Sequence, residues 1–404
     1  MTSATLDYAL PKPSTNAIPV GVACALIASG TAYLTSAFAW RQGALFLVGA
    51  GAGVVLYHAA FGFTSSWRAM IADGRGAGLR AQMLMLAATC AVFLPVLARG
   101  QIFGQPVRGA VSPVGLPVIV GAFLFGVGMQ LGGGCASGTL YTAGGGSVRM
   151  LATLVAFIAG SVIGARHMPF WQTAPALEPI SLVSRLGLAP SLTVSFLLFG
   201  GVALASLAVE RARHGTLVES ALKSAAGTPW APRNRSAWKG PWPLIAGALG
   251  LAGVNIATLA LSGRPWGITS ALALWGSKVL GSLGVNVGAW PYWQLAPNAA
   301  ALRSSVLSDI TSVMDFGIIL GALLAAGMAG RFAPVWRVPA KSALAAILGG
   351  LMLGYGSRIA YGCNIGAYFS GIASSSVHGW VWFAAAFAGN GIGTRMRPLF
   401  GLRV

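Results

Sequence analysis

Long apolar stretches recur along nearly the whole chain and constrain its fold more than any other feature. The predicted stretches are 18–40, 43–61, 81–98, 114–131, 148–166, 191–209, 243–262, 310–330, 341–356 and 378–394. Each is near the ~20 residues that a helix needs to cross a hydrocarbon core of ~30 Å. Of the 404 residues, 56% are hydrophobic and 8% are charged, a balance foreign to soluble domains. The sequence predicts an all-α polytopic membrane protein with about ten spans.

Two polar segments divide this pattern. Residues 1–17 form a polar lead without the basic start of a signal peptide, so the first helix is expected to be retained. Residues 210–242 form a polar linker between membrane halves at 18–209 and 243–404, and its basic residues are Arg211, Arg213, Lys223, Arg233, Arg235 and Lys239. A cytoplasmic linker would put most of the 26 Lys and Arg residues, and both termini, in the cytoplasm. Topology, rather than nucleic-acid binding, then explains the net charge of +19.

A Gly-Cys loop occurs once in each half. Gly-Gly-Gly-Cys-Ala-Ser-Gly at 132–138 and Tyr-Gly-Cys-Asn-Ile-Gly at 361–366 both follow an apolar stretch. An offset of 228 residues aligns Gly126, Gly128, Gly134, Cys135 and Gly138 with Gly354, Gly356, Gly362, Cys363 and Gly366. One inserted residue then aligns Gly160, Gly164 and Arg166 with Gly389, Gly393 and Arg395. The spans counted between the cysteines predict an inverted repeat, whereas a crossing at 266–284 would make the repeat parallel.

The loops predict an anion site in the membrane interior. A helix that ends near Gly134 or Gly362 and restarts presents unpaired backbone N–H groups, which bind anions. A thiol is a small, polarizable, weak donor, so Cys135 and Cys363 suit a soft sulfur-bearing ligand, although buried cysteines often only pack. Ser137 and Asn364 could donate to the anion or cap the restarting helices. Cys24 and Cys90, which lack glycine neighbours, are predicted to be packing residues.

A second tier of residues surrounds these loops. Gly62-Phe63-Thr64-Ser65 resembles Gly267-Ile268-Thr269-Ser270, and both segments are interpreted as starts of re-entrant half-helices. The residues that could cap them or offer hydroxyls to an oxyanion are Thr64, Ser65, Thr269 and Ser270. Asp315 is either a coupling carboxylate or an interfacial residue. Arg358, which stands where the first half has Gln130, could attract anions or extend to the interface.

Three segments resemble the YeeE/YedE family of membrane transporters for thiosulfate and related sulfur compounds: 61–68, 121–146 and 361–380. The resemblance implies an hourglass of two pseudo-symmetric halves, with short helices entering from both faces. It also implies that thiosulfate passes by transient S–H hydrogen bonds to motif cysteines, here Cys135 and Cys363. The third motif cysteine of the family is replaced by Gly62. A cytoplasmic sulfur-carrier partner of the TusA type is implied as well.

Several absences narrow the function. The sequence contains no Gly-x-x-x-x-Gly-Lys-Ser/Thr, His-Glu-x-x-His, Gly-x-Ser-x-Gly or Cys-x-x-Cys-His motif, and its four histidines lack ligand spacing. We therefore expect a transporter without cofactor or metal that imports a sulfur anion, thiosulfate first, across the bacterial cytoplasmic membrane. The alternatives are a thiol redox enzyme cycling through persulfide or disulfide states, a transporter of a related sulfur or selenium compound, or a passive channel. The basic segments 211–239 and 395–403 could dock the carrier, although topology already explains them.

Overall fold

A computed structural model of the chain describes residues 15–217 and 238–403, and this part is almost entirely helical. The helices of the first half are α1 Ala17–Ala37, α2 Trp40–Ala59, α3 Phe63–Asp73, α4 Ala77–Arg99, α5 Leu116–Gly132, α6 Ala136–Gly144, α7 Val148–Gln172, α8 Leu182–Leu186 and α9 Leu188–His214. Those of the second half are α10 Leu244–Ser262, α11 Thr269–Ser282, α12 Pro291–Gln294, α13 Ala296–Arg303, α14 Ile310–Met328, α15 Ala340–Ile359, α16 Ser370–Ala373 and α17 Val377–Met396. A π-helical stretch, Asn364–Phe369, precedes α16 and is called the π segment.

Short elements complete the described chain. Four two-residue strands form two antiparallel pairs, β1 Gln101–Ile102 with β2 Gln105–Pro106 and β3 Val114–Gly115 with β4 Ala176–Leu177. Single 3₁₀ turns cover Val287–Ala289, Val306–Ser308 and Arg397–Phe400. The fold is therefore all-α, as predicted, with strands confined to connections.

Within the described ranges, nine helical segments are long and apolar enough to cross a membrane. They contain α1, α2 with α3, α4, α5 with α6, α7, α9, α10, α14, and α15 with the π segment and α16. The tenth predicted stretch, 378–394, lies in the helix α17, which is not among the nine. These segments make the chain a multi-pass membrane protein.

The described ends of the linker mark one face of the molecule, called here the linker face. At this face the Trp242 N–H donates to the carbonyl oxygen of His58 at 2.8 Å, and His214 donates to that of Asp73 at 2.6 Å. The opposite face carries the strands and a contact between the halves, in which the Arg108 N–H donates to the Gly263 carbonyl at 2.8 Å. Both halves therefore contribute to both faces.

Helix α17 connects these two faces. At its start, the Val377 N–H donates to the carbonyl oxygen of Ile180, in the connection that follows β4. Just beyond its end, Arg397 donates to the carbonyl oxygen of Gln130 at 2.8 Å, near the linker-face start of α7. Helix α17 also packs along α5. Its contacts thus make it a crossing element in spite of its polar residues.

The order of elements repeats, and so do the contacts between them. In both halves a long helix is followed by a short one, a second long one, a broken helix and a last long helix: α2–α7 in the first half and α10–α17 in the second, where the short α12 and α13 are additional. Helix α7 packs along α15 as α17 packs along α5. Gly164 lies against Tyr355 in the first pair, and the aligned Gly393 lies against Val127 in the second. Both pairs run parallel. Helices α1 and α9 lie outside this repeated order.

The matched helices α5 and α15 pack against each other in opposite directions. A β-carbon on Gly121 would lie 2.7 Å from the carbonyl oxygen of Gly356, and one on Gly128 would lie 2.8 Å from that of Gly349. The residue numbers of the contacting glycines increase along α5 while they decrease along α15, so the two helices are antiparallel. Larger residues at these sites would force the backbones apart, so glycine sets the distance between the halves.

The structure also bears on two predictions, the re-entrant half-helices and the first residue of the linker. At ~1.5 Å per residue, α3 and α11 span roughly 17 and 21 Å, too little to cross a ~30 Å core. Glu210, predicted as the first linker residue, instead lies inside α9, fully buried and paired with Arg80 at 2.7 Å. The rest of the linker, 218–237, and the lead 1–14 lie outside the described residues.

Candidate functional site

Each cysteine of the Gly-Cys loops is the residue at which a broken helix restarts. Helix α5 ends at Gly132 and α6 begins after Cys135; α15 ends at Ile359 and the π segment begins after Cys363. The breaks come a few residues earlier than the predicted ends at Gly134 and Gly362. Gly133 has φ +90° and Gly362 has φ +152°, backbone conformations that residues with a β-carbon rarely adopt. Both thiols consequently sit at helix N-termini, where free N–H groups favour anions.

The thiol of Cys135 is held by its own helix. Its Sγ accepts a hydrogen bond from the Gly138 N–H at 3.4 Å and lies 3.3 Å from the Ser137 hydroxyl. Cys135 therefore caps α6 itself, and Ser137 binds the thiol rather than the helix end. The cysteine side chain is 2% exposed, and a β-carbon on Gly138 would lie 3.5 Å from its sulfur. This loop is closed and internally satisfied.

The loop of Cys363 is less satisfied. Cys363 precedes the π segment without a side-chain cap, and both amide atoms of the buried Asn364 lack a hydrogen-bond partner. Asn364 therefore does not cap the helix. A β-carbon on Gly366 would meet nothing within 4 Å, so empty space adjoins this loop. The loop is anchored on its other side by Trp382, whose indole N–H donates to the carbonyl oxygen of Gly362 at 3.2 Å.

The two loops meet in the interior of the molecule. Helix α6 contacts the π segment, and Cys135 lies within electrostatic range of Cys363, which is 0% exposed. Asp315 lies within electrostatic range of Cys363 too. Aromatic rings pack around this centre, among them Trp67, Phe125, Tyr368 and Trp382. The predicted candidates of both halves are thus brought together in one apolar surrounding.

A cavity of about 350 Å³ opens next to the Cys363 loop at the opposite face, and Gly362 and Gly366 line its inner end. Arg358 also lines it, 9% exposed, with its guanidinium 5.4 Å above the ring of Tyr292 and hydrogen-bonded to the Tyr292 hydroxyl. The side chain of Arg358 therefore belongs to the cavity wall instead of extending to the interface. A cation at this place favours the entry of anions.

Thr269 and Ser270 line the same cavity, but they cap no helix. The residue before α11 is Ile268, which makes no side-chain cap, and the Ser270 hydroxyl donates to that of Thr311 at 3.1 Å. In the first half the position before α3 belongs to Gly62, and Ser65 donates to its carbonyl oxygen at 3.1 Å. The capping interpretation of these four hydroxyl residues is wrong because glycine and isoleucine occupy both cap positions. The Thr64 hydroxyl is buried and has no partner.

Gly62, where the family motif has a cysteine, sits in ordinary extended backbone with φ −102°. A β-carbon there would lie 2.5 Å from the Ser65 hydroxyl oxygen, which is the mobile end of a side chain, and otherwise no closer than 3.6 Å to its neighbours. The missing thiol therefore reflects the residue type and not a backbone that excludes a side chain.

Three arginines that were not predicted as site residues lie on the linker side of the Cys135 loop. Arg149 donates to the carbonyl oxygens of Leu131 and Gly132 at 2.6 and 2.8 Å, and Arg397 donates to that of Gln130 at 2.8 Å. Arg68 donates to the Gln130 side chain at 3.3 Å. Burial and the charges of Arg68 and Arg149 lower the pKa of Arg397 to about 10. Because the three arginines come from distant segments of the chain, their clustering is not visible in the sequence. The one available signal was that Arg68 belongs to the 61–68 motif.

Gln130 connects this cluster to the core. Its amide nitrogen donates to the Thr64 carbonyl at 3.1 Å and to the side-chain oxygen of Asn390 on α17. Arg358 and Gln130, aligned in the repeat, thus have different partners: the arginine faces a cavity, whereas the glutamine closes a hydrogen-bond network. The two halves carry unlike polar groups at equivalent places.

The remaining cysteines lie away from the loops. Cys90 is buried on α4, with its sulfur 3.8 Å from the Ile372 carbonyl oxygen, as expected of a packing residue. Cys24 is exposed on α1, so its predicted packing role is wrong. All four cysteines are free thiols, and the part of the chain that the structure describes holds no group of three or more His, Cys, Asp or Glu suited to a metal.

Comparisons with known proteins agree with this arrangement. The model of a family described as sulphur transport matches residues 58–392. The chain is 28% identical over 271 residues to the thiosulfate transporter TsuA of Spirochaeta thermophila, covering 65% of this chain and 72% of the relative. It is 29% identical over 167 residues to the probable transporter YedE of Escherichia coli strain K12, covering 40% of each chain. A second YedE, from Salmonella typhimurium, is 31% identical over 148 residues, covering 36% of this chain and 35% of the relative.

The match to each YedE spans less than half of that relative's length, whereas the family model spans both Gly-Cys loops. The family and the names of these relatives describe transporters and not enzymes. Nine apolar helices, two interior thiols at helix restarts and the matched family model lead to one assignment: this chain is a membrane protein of the sulphur transport family.

Proposed function

We propose that this chain is a permease that carries thiosulfate, or a closely related sulfur anion, past Cys363 and Cys135. The observation that carries the proposal is the interior meeting of two thiol loops, each at a helix N-terminus. Backbone N–H groups and thiols offer an oxyanion weak hydrogen bonds without a fixed positive charge that would trap it. The thiosulfate transporters among the relatives support this substrate.

The two arginine-bearing sides support a path through the molecule. Arg358 would attract the anion into the opposite-face cavity, and the arginines at Gln130 would receive it on the linker side. We further propose that Ser137, Asn364, Gly138 and Gly366 line the narrow part between them. Because both thiols are buried, passage requires a local opening of the loops.

The matched contacts support an inverted repeat. Two helices that are equivalent by sequence, α5 and α15, run antiparallel, which a two-fold axis in the membrane plane would produce. With a cytoplasmic linker, both termini are cytoplasmic and the opposite-face cavity faces outward, and import is the direction that we propose for the anion. The bacterial cytoplasmic membrane and a TusA-type acceptor of the imported sulfur remain predictions. Much of the basic linker lies outside the described residues.

The test is uptake of radiolabelled thiosulfate by bacterial cells that lack their own thiosulfate importers and express the full chain. We expect uptake by the wild type and its loss in Cys135→Ser and Cys363→Ser, because each removes a thiol from the path. Cys24→Ala is the matched control, since Cys24 is exposed on α1, and it should retain uptake. Membrane insertion of every variant is measured by quantifying the protein in membranes.

Two results would contradict the proposal. Absence of uptake by well-inserted wild type would refute a thiosulfate substrate, and selenium or other sulfur anions would be tested next. A covalent sulfur adduct that accumulates on Cys135 or Cys363 during turnover, detected by mass spectrometry, would instead support the thiol redox reading.

A further inference from the structure

Asp315 is a carboxylate buried in the membrane interior without a partner. It is the sixth residue of α14 and is 0% exposed, and neither carboxylate oxygen has a hydrogen-bond partner. Its helical counterpart, Gln82, is the sixth residue of α4, and its side-chain oxygen accepts hydrogen bonds from Trp67 at 2.9 Å and Tyr368 at 3.3 Å. Thus neither oxygen of the acid has a partner in one half, whereas the amide oxygen in the other half has two, although the amide nitrogen of Gln82 has none. A buried polar group without partners requires an explanation.

The groups around Asp315 do not stabilise a negative charge. The titratable groups that act on it electrostatically are Cys363 and Asp309, and Asp309 is itself acidic. The Asp309 carboxylate accepts from the Ser312 N–H and hydroxyl at 2.7 Å and lies 3.9 Å from Arg264. The other elements packed against α14 carry the following titratable groups: Cys24 and Tyr33 on α1, Arg41, Tyr57 and His58 on α2, Cys135 and Tyr141 at α6, and Lys278 on α11. While the loops are closed, burial therefore favours the neutral, protonated carboxyl group, so Asp315 exchanges its proton only when the local opening that passes the anion also admits water.

A line of hydroxyl groups leads from the opposite-face cavity toward Asp315. Ser270 lines the cavity and donates to Thr311 at 3.1 Å. Thr311 and Asp315 are four residues apart on α14, so their side chains lie on one face of the helix, with Cβ atoms about 5–6 Å apart. One water molecule can bridge that gap. Such a water would complete a polar route from the cavity to the carboxylate, past the Thr311 hydroxyl, which also accepts from the Arg264 guanidinium at 3.4 Å.

Asp315 and Asn364 both lie near Cys363, and both are buried side chains whose polar atoms have no hydrogen-bond partner. Asn364 directly follows Cys363, and its amide nitrogen is a buried donor without a partner. A protonated Asp315 would add an O–H donor, and Cys363 supplies an S–H donor. An anion can accept from all three neutral donors, and the unpartnered side-chain oxygen of Asn364 is an acceptor at the same place. An ionised Asp315 would instead repel that anion.

On these grounds we propose that Asp315 binds one proton together with each anion at the Cys363 loop, which makes the protein a proton–anion symporter. The inference rests on the proposed permease function and adds its driving force. The proton moves from water in the opposite-face cavity to one carboxylate oxygen, and that O–H group then donates to the anion. When the anion leaves toward the linker side, the proton passes to water there, and no bond within the anion is broken. Less negative charge then crosses the apolar core with each anion.

The experiment uses the full chain in proteoliposomes of defined orientation that contain a pH-sensitive dye. Thiosulfate is added on the side of the opposite-face cavity, and labelled uptake and internal pH are recorded together. We expect thiosulfate to acidify the interior of wild-type vesicles. Where the free protein has Asp315 ionised, apparent affinity should rise up to about tenfold per unit fall in pH, because one proton is taken up with each anion.

Asp315→Asn keeps a neutral donor but cannot carry a proton. We expect this variant to move thiosulfate down its gradient with no acidification and with a flat pH profile. Asp315→Glu should retain both signals, and Thr311→Val should slow the acidification and the uptake together. Glu178→Gln, which alters an exposed acid in a loop of the opposite face, is the matched control and should behave as wild type.

The possible failures are distinguishable. Wild-type uptake without acidification, or an Asp315→Asn variant whose acidification and pH profile equal those of the wild type, would refute proton coupling while leaving the permease intact. Absence of thiosulfate uptake by inserted wild type would refute the permease and the coupling together. If Asp315→Asn does not insert, the wild-type acidification and its dependence on Thr311 still decide the question.

Discussion

The two Gly-Cys loops align in the sequence, and each lies where a helix breaks and restarts, but their surroundings differ. Cys135 is capped by its own helix and bonded to Ser137, whereas Cys363 has no cap and is followed by an unbonded Asn364. Space beside Gly138 is filled by the Cys135 sulfur, and space beside Gly366 is empty. The first loop is therefore hydrogen-bonded within itself, whereas the second, equally buried, adjoins empty space.

The same contrast extends to the groups around the loops. In the first half, Gln130 and Gln82 are held by several hydrogen bonds. In the second, Arg358 lines a cavity and Asp315 has no partner. In the proposed permease, the repeated order of helices would supply a symmetric path, and the unlike polar residues of the two halves would make that path directional. The four predictions that follow test whether the Cys363 loop contributes more to substrate binding than its counterpart, on a proposed path that passes both thiols.

The largest effect is expected from Gly366→Leu. Its side chain would extend into the empty space beside Cys363, so thiosulfate uptake should fall to background. The helix should tolerate the change, because nothing lies within 4 Å of a β-carbon there and φ is ordinary. Gly253→Leu is the control, since Gly253 also has open space but lies exposed on α10. Retained uptake in Gly366→Leu would place the substrate elsewhere.

Arg358→Gln should lower uptake at limiting thiosulfate by about 10- to 100-fold, since a hydrogen bond to a charged group contributes roughly 1.5–3 kcal/mol. The apparent KM should rise more than the maximal rate falls. The matched control is Arg166→Gln, which removes an exposed arginine that also contacts an aromatic ring, Trp290, but does not line the cavity. If both variants lost the same fraction of uptake, Arg358 would act only through the general positive charge of the surface.

Gln130→Leu should mainly affect stability. It leaves the Thr64 carbonyl, Asn390 and Arg68 without a shared partner, at a cost of about 1–3 kcal/mol. Asn364→Leu should leave stability unchanged, because the buried amide has no partners to lose, while its uptake falls. Thermal unfolding of both purified variants in detergent, measured beside uptake, checks the contrast. A lower unfolding temperature for Asn364→Leu, with none for Gln130→Leu, would contradict this prediction.

The smallest effect is expected from Gly62→Cys, which restores the third family thiol. Uptake should rise by about 2- to 10-fold, the range of one neutral hydrogen bond worth roughly 0.5–1.5 kcal/mol. The Ser65 hydroxyl must rotate away, so Gly62→Cys combined with Ser65→Ala should give the full gain. Uptake identical to wild type in both variants would show that two thiols suffice.

The sequence predicted the fold class and the thiol positions because hydropathy and glycine patterns act locally. Apolar stretches of about 20 residues must become helices in lipid, where every backbone group needs a partner within the segment. The aligned Cys135 and Cys363 were visible as a repeat with no structural information. The capping roles of Thr64, Ser65, Thr269 and Ser270 were predicted wrongly, since a shift of one or two residues in a helix start changes which side chain occupies the cap.

Other features depend on contacts between distant segments. The arginines at Gln130 come from three separate parts of the chain, and none of them stands out by its neighbours. The packing of α5 on α15 through Gly121 and Gly349 likewise requires both halves to be present. The sequence predicted a span at 378–394, but α17 is not among the nine most apolar segments of the described chain, and its contacts at both faces identify it as a crossing.

By itself, the sequence determined that this chain enters a membrane, that it is built from two related halves, and which two thiols lie at equivalent places. Tertiary structure decided that Cys135 is bonded while Cys363 adjoins open space, and that Asp315 has no partner while Gln82 has two. The physical reason is that hydrophobicity and backbone permissiveness belong to the residue, whereas hydrogen-bond satisfaction and cavity shape belong to whichever distant residues pack around it.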